Sequence, residues 1–248
     1  MPIASPFDLL ILVLMIVFSG LLLFGFAFGK LPVDRTQRQP RQTQLAQSAV
    51  LVACALIWWL VGARSTEVEA FARYVFLGMA LGFLGDILLS DLLRIRNALI
   101  LGMAAFGMGH IFYILGYREL QILFGLEDAR TLVITLVVAG VVSIGTWMGL
   151  VYVPEAETAL NVGSLVYGLV LGGMAGYALA LALQLPAFLP MAVGAVLFLI
   201  SDIILGNFLF RQNRWYLVGD VIWFTYIIGQ ALIVFSNATA LTLLAEAV

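Results

Sequence analysis

Charged side chains are scarce in this chain: Asp, Glu, Lys and Arg make up 10% of its 248 residues, against about a quarter in a soluble globule. With 63% hydrophobic residues and a mean hydropathy of +1.11, there is too little polar surface to coat a water-soluble fold. Cysteine occurs once, at Cys54, so no disulfide can form within the chain and no cysteine-based zinc or redox centre can be built. Histidine also occurs once, at His110, which removes every multi-histidine metal site. No metal and no cofactor are expected. Twelve cations against fourteen anions leave a formal charge of -2 and no basic stripe for a phosphate backbone, so nucleic acid is not an expected partner. The one lysine, Lys30, follows no glycine-rich phosphate loop, and no G-x-S-x-G elbow presents a serine nucleophile. What is left is an integral membrane protein whose partners are lipids or molecules dissolved in lipid.

A bilayer core of about 30 Å takes roughly 20 apolar residues per helix. By that measure eight spans are predicted, near 7–28, 45–63, 73–93, 98–117, 131–151, 162–184, 189–210 and 215–236. The fold class is therefore all-α, a polytopic bundle forming one domain over residues 1–248. The first span is too long for a signal-peptide core and residues 1–6 carry no Lys or Arg, so it reads as a retained helix. The longest connection, Lys30 to Gln44, is rich in Arg and Gln and contains Pro32 and Pro40.

Cytoplasmic loops hold the excess of Lys and Arg. Lys30, Arg35, Arg38, Arg41, Arg94, Arg96, Arg211 and Arg214 fall on one side, and Arg64, Arg73, Arg118 and Arg130 on the other. That split places both termini outward, with a bacterial inner membrane as the expected location. Trp58, Trp59, Trp147, Trp215 and Trp223 mostly fall toward span ends or on lipid-facing surfaces, where Trp commonly serves as an interfacial anchor.

Lipid supplies no hydrophobic drive between helices, so close backbone approach takes its place. Ser164, Gly168, Gly172 and Gly176 form a small-residue face on the sixth span, suited to an internal contact or to a homodimer; Gly78 and Gly82 do the same on the third. An internal echo links the two ends of the chain. Gly85-Asp86-Ile87-Leu88-Leu89, a basic turn and Gly109-His110 correspond to Ser201-Asp202-Ile203-Ile204-Leu205, a basic turn and Gly229-Gln230. The copies are offset by four spans, which predicts a four-plus-four parallel repeat with Asp86 and Asp202 at equal depth.

An ionised carboxylate in a bilayer costs several kcal/mol, so each buried acid demands a reason. Counting from the nearest arginine of the basic side, Asp86 lies roughly 12 Å deep, Asp202 roughly 13 Å and Asp220 roughly 9 Å. Asp91 and Asn207 come nearer the surface, and His110, Tyr226 and Gln230 deeper. Two acids sharing a site serve as general acid and general base. Asp86 and Asp202 are the candidate pair, and a helix-capping or hydrogen-bonding role is the alternative for them and for Asp220. His110 has Tyr113 at i+3 and Gln230 as its counterpart in the repeat, which suggests a polar pocket between the halves.

At these residues the chain resembles the YhhN family of integral-membrane lysoplasmalogenases. The resemblance rests on Leu84 to Leu89, Phe106, Gly109-His110 and Tyr113, Tyr167 and Met174. It continues through Gly194-Ala195, Leu197-Phe198, Ser201-Asp202, Asn207-Phe208 and Thr225 to Gln230. A basic-residue-then-proline mark expected at the second helix is present only as Arg38-Gln39-Pro40. The resemblance implies eight helices, Asp86 and Asp202 as catalytic carboxylates, and His110, Asn207, Tyr226 and Gln230 as pocket residues; Tyr113 and Asp220 join that substrate-binding set from their positions. It also implies hydrolysis of the vinyl ether bond of a lysoplasmalogen-like lysophospholipid, releasing a fatty aldehyde and a glycerophospho-headgroup. A small secondary transporter or lipid flippase using the two Asp residues as a proton relay is the competing expectation.

Overall fold

The computed structural model describes residues 5–90 and 95–247, which are helical apart from short connections. Asp91 and Arg94 lie outside the described residues. Eight helices long and apolar enough to cross a membrane follow one another: α1 Pro6–Phe28, α2 Arg41–Ile57, α3 Glu69–Leu89, α4 Ala98–Leu123, α5 Ala129–Thr146, α6 Thr158–Gln184, α7 Leu189–Phe210 and α8 Val218–Ala247. The protein is a multi-pass membrane protein. Wider π-helical turns extend α2 through Trp58–Gly62 and α5 through Trp147–Val151.

Local chemistry sets several helix ends. Ser5 caps α1 by accepting the Asp8 N–H at 3.2 Å, with Pro6 at the first position and Asp8 in the first turn. Asp128 accepts the Arg130 N–H at 3.0 Å to start α5. α2 starts immediately after Pro40, whose fixed backbone angle leads into a helix. Five helices depart from the predicted spans by more than a turn. α4 runs on to Leu123 and α8 to Ala247, α2 starts early at Arg41 and α6 at Thr158, and α3 starts at Glu69 and ends at Leu89. Hydropathy locates the stretch soluble in lipid, whereas the helix continues for as long as its residues favour it, as Arg118-Glu119-Leu120-Gln121 do.

Two antiparallel hairpins, α3–α4 and α7–α8, form the tightest packings. In the second, a methyl group on Gly194 would lie 2.7 Å from the Gly229 carbonyl oxygen, so only glycine permits this backbone crossing. α2 packs on α1, α3 and α8, and α6 packs on α4, α5 and α7. The outer faces of α1 and α5 carry exposed Leu, Val and Ile that suit lipid. The α6 small-residue face serves an internal contact. Gly172 receives Ser143 and Gly176 receives Ala139 and Thr135, all from α5, while Gly168 faces open space.

The four-plus-four repeat is not established by this arrangement. What the two hairpins share is local: Asn97 and Leu217, in left-handed backbone, precede α4 and α8, and Asp86 and Asp202 approach one cavity.

The α1–α2 connection folds over the start of α8. Leu217 N–H donates to the Arg35 carbonyl at 3.0 Å and Gly219 N–H to the Thr36 carbonyl at 2.8 Å. The Asp220 carboxylate accepts the Arg38 and Gln39 N–H groups at 2.7 and 2.9 Å. This strap roofs the end of the bundle where the acids lie.

Candidate active site

Asp86 sits on α3 at 8% exposure. Its Oδ2 accepts two hydrogen bonds, from Ser48 Oγ on α2 at 2.5 Å and from the Tyr226 hydroxyl on α8 at 2.9 Å. Behind Tyr226, Gln230 Nε2 donates to the Tyr226 oxygen at 3.4 Å, and Gln230 Oε1 accepts from the Tyr113 hydroxyl at 2.6 Å. Every donor in this chain of groups points toward Asp86.

Asp202, on α7, is half-buried. Its Oδ2 accepts one hydrogen bond, from the Tyr167 hydroxyl on α6. His110 Nε2 lies 3.2 Å from that same hydroxyl oxygen. With the Tyr167 proton given to Asp202, the hydroxyl oxygen is left to accept from a proton on His110 Nε2. Nδ1 is then a bare acceptor, and it is buried without a hydrogen-bond partner. This chain too runs toward a carboxylate, from His110 through Tyr167 to Asp202. Hydrogen bonds to charged groups are worth about 1.5–3 kcal/mol each, which offsets part of the cost of holding an acid in the bilayer.

Aromatic rings fix these groups in place. Phe198 stands edge-on to His110, with centroids 4.7 Å apart, and to Tyr226 at 5.0 Å; Phe106 meets Tyr226 edge-on at 5.9 Å. The small-residue face of α3 makes room for them. A methyl group on Gly78 would overlap the Tyr113 ring, one on Gly82 would lie 2.8 Å from Gln230 Nε2, and one on Gly85 would lie 2.5 Å from the Phe106 ring.

Two cavities meet at Asp202. The first, of about 350 Å³, is the more polar of the two and lies between α2, α3, α4, α7 and α8, under Thr36 and Gln37 of the strap; Asp86, Asp202 and Tyr226 line it. Arg41, which donates to the Leu89 carbonyl at 3.0 Å, is also part of its wall. The second, of about 80 Å³, is an apolar slot lined by α4, α5, α6 and α7, including Met103, Trp147, Gly168, Leu171 and Asp202. Phe106, Leu89 and Leu205 border both. The more polar chamber and the apolar slot thus lie side by side across a shared wall.

The eight residues singled out from sequence fall into three groups. Asp86, Asp202 and Tyr226 line the polar cavity. His110, Tyr113 and Gln230 are buried and outside both cavity walls, touching the carboxylates only through tyrosine hydroxyls. Asn207 and Asp220 are engaged elsewhere. Asn207 Nδ2 donates to the Leu150 carbonyl at 2.8 Å, tying α7 to the end of α5, and Asp220 holds the strap. Neither lines a cavity wall.

The tryptophans correct a sequence expectation. Trp223 is buried, lines the polar cavity and donates to Gln47 Oε1 at 2.7 Å; Trp147 lines the slot and donates to Ser164 Oγ at 3.0 Å; Trp58 is buried. An indole N–H with a buried acceptor serves inside a bundle as well as at an interface. Sequence reasoning also left Ser48 and Tyr167 outside the candidate set. Ser48 carried a signal: Gln44, Gln47 and Ser48 follow helical spacing on an otherwise apolar segment. Tyr167 carried none beyond its place in the resemblance, because a lone Tyr in an apolar helix is ordinary.

Among the described residues, no three His, Cys, Asp or Glu side chains come together as a metal site. No curated protein and no solved structure matches the chain significantly. Eight apolar helices and a buried polar site are consistent with a membrane-embedded enzyme, and the family comparison agrees: the model of the YhhN family matches residues 42–237, and the chain belongs to that family.

Proposed function

We propose that this protein is a membrane-embedded hydrolase of the vinyl ether bond of lysoplasmalogen-like lysolipids. The observation that supports this reading is the junction at Asp202 of the polar cavity and the apolar slot, with Asp86 on the polar side. A lysolipid placed there has its headgroup in the polar chamber, near Arg41 and the strap, and its single chain in the slot. Its vinyl ether then lies beside the two carboxylates.

A vinyl ether hydrolyses when an acid protonates its β-carbon, giving an oxocarbenium ion that water captures. The hemiacetal so formed collapses to a fatty aldehyde and a glycerophospho-alcohol. One protonated and one ionised carboxyl group suffice for the proton transfers and stabilise the cation, without a metal. The polar cavity supplies the water, and burial strengthens each electrostatic contact relative to bulk water. We place the basic loops, and with them the headgroup chamber, on the cytoplasmic side of a bacterial inner membrane.

The test is aldehyde release from a lysoplasmalogen by the purified protein, with Asp86→Asn and Asp202→Asn run alongside. Each substitution keeps side-chain size, so turnover should fall below detection while the helical content stays that of the wild type. Full activity in both variants, or no aldehyde from the wild type, defeats the reading. A proton-coupled solute flux in vesicles without aldehyde would move the assignment to transport.

A further inference from the structure

The two carboxylates are not equivalent, and their differences assign them separate roles. The first difference is in hydrogen bonding. Asp86 Oδ2 receives two donors, Ser48 and Tyr226, on a residue that is 8% exposed. Asp202 Oδ2 receives one, Tyr167, on a half-buried residue. Two donors from two helices therefore hold the Asp86 carboxyl group, and one holds that of Asp202.

The second difference is position. Asp86 lines only the polar cavity, whereas Asp202 lines the polar cavity and the apolar slot. In a vinyl ether the carbon bonded to oxygen is on the headgroup side, and the carbon that takes the proton is one bond further along the chain. The proton donor must therefore stand on the chain side and the water-activating base on the headgroup side. Position therefore divides the roles, and the hydrogen bonds hold each carboxyl group in place.

We propose that Asp202 is the general acid that protonates the β-carbon and Asp86 the general base that activates water, with Ser48 and Tyr167 as the positioning residues that fix this division. The assignment rests on the vinyl ether reading above. Protons and bonds balance over the cycle. Asp202 gives its proton to the β-carbon as the C=C π pair forms the new C–H bond, leaving an oxocarbenium ion between two carboxylates. Asp86 takes a proton from water as the water oxygen bonds to the cationic carbon. In the collapse, Asp86 returns its proton to the departing glycerol oxygen as that C–O bond breaks. Asp202 takes the hemiacetal hydroxyl proton as the aldehyde C=O forms. Both acids end in the state in which they began.

The test reads kcat/KM against pH for the wild type, Ser48→Ala and Tyr167→Phe. The groups facing Asp86 are Tyr226 and, across the cavity, Asp202, with Arg41 in the wall; those facing Asp202 are Tyr167, His110 behind it and Asp86. Removing a donor from a carboxylate makes its proton harder to lose. Ser48→Ala should move the acidic limb, set by the base, upward by about one pH unit and leave the basic limb in place. Tyr167→Phe should move the basic limb, set by the acid, upward by a similar amount and leave the acidic limb in place. The reverse pattern, or limbs that stay put in both variants, overturns the assignment.

A second measurement does not depend on those variants folding. Asp86→Asn incubated with substrate in D₂O should return vinyl ether deuterated at the β-carbon without aldehyde, because Asp202 still exchanges its proton. Asp202→Asn should return it unlabelled. Label in Asp202→Asn, or in neither, overturns the assignment. If the wild type releases no aldehyde, it is the vinyl ether reading itself that fails.

Discussion

Gly85, one residue before Asp86, tests whether the α3 glycines are required by shape. A methyl group there would lie 2.5, 2.6 and 2.9 Å from three atoms of the Phe106 ring. Ordinary carbon contacts are about 3.5–4.0 Å, so the ring must retreat by about 1 Å. On one side it meets Tyr226 and Phe198, with centroids 5.9 and 6.2 Å away, and on the other it enters the cavities whose wall it forms. Overpacking of this kind costs about 1–3 kcal/mol, while replacing a helical glycine by alanine returns about 0.5–1 kcal/mol. Gly85→Ala should therefore be destabilised by about 0.5–2 kcal/mol, a fall of a few degrees in the unfolding temperature. Gly168→Ala is the matched control, because nothing lies within 4 Å of a methyl group at that position. There the helix gain stands alone, and the unfolding temperature should hold or rise slightly. The assays are thermal unfolding in detergent and kcat/KM for aldehyde release. We expect kcat/KM of Gly85→Ala to fall by about tenfold or more, since a displaced ring narrows the junction at Asp202. Gly85→Ala unfolding at or above the wild-type temperature with full activity would refute the packing argument.

Gly168→Leu places an isobutyl group in the slot and should lower kcat/KM for long-chain lysolipids by about 5- to 100-fold, while short-chain substrates are affected much less; equal losses for all chain lengths would show that the chain lies elsewhere. Asp220→Ala removes the acceptor of the Arg38 and Gln39 N–H groups and loosens the strap that carries Thr36 and Gln37 to the cavity. KM should rise severalfold with kcat little changed, and the reverse pattern would place Asp220 in the chemistry. Cys54 is the one native cysteine and is buried, so introduced cysteines can be labelled against a quiet background. A cysteine at Arg38 should be labelled by an impermeant reagent only after the membrane is opened, and one at Ser5 without opening it; the opposite result inverts the orientation.

Much of the architecture was legible in the sequence because a bilayer leaves few choices. Each backbone polar group must be satisfied within its own segment, so a long apolar run is a helix and its centre is easy to find. The ends are not: α4 runs past the predicted span because Arg118 to Leu123 remain helical after the hydropathy falls, and α8 because the turns from Ala238 to Ala245 are themselves apolar. The acids Asp86 and Asp202 stood out for the same reason as the spans, as expensive residues in apolar helices. Ser48 and Tyr167 are cheap ones, and nothing in their own segments says what they donate to.

By itself the sequence settles what is expensive: eight apolar helices, two carboxylates in the half of the bilayer facing the arginine-rich loops, and glycines where backbones or rings must pass. The tertiary structure alone decides partnership. Ser48 on α2 meets Asp86 on α3, Tyr167 on α6 meets Asp202 on α7, and Asp220 turns away to hold the strap. It also separates Asn207, tied to α5, from a pocket with which it shares a helix. The physical reason is that burial cost belongs to a residue and can be read from composition, whereas a hydrogen bond belongs to a pair. Across helices the pair is set by how glycine faces let those helices approach, and hydropathy alone does not specify that.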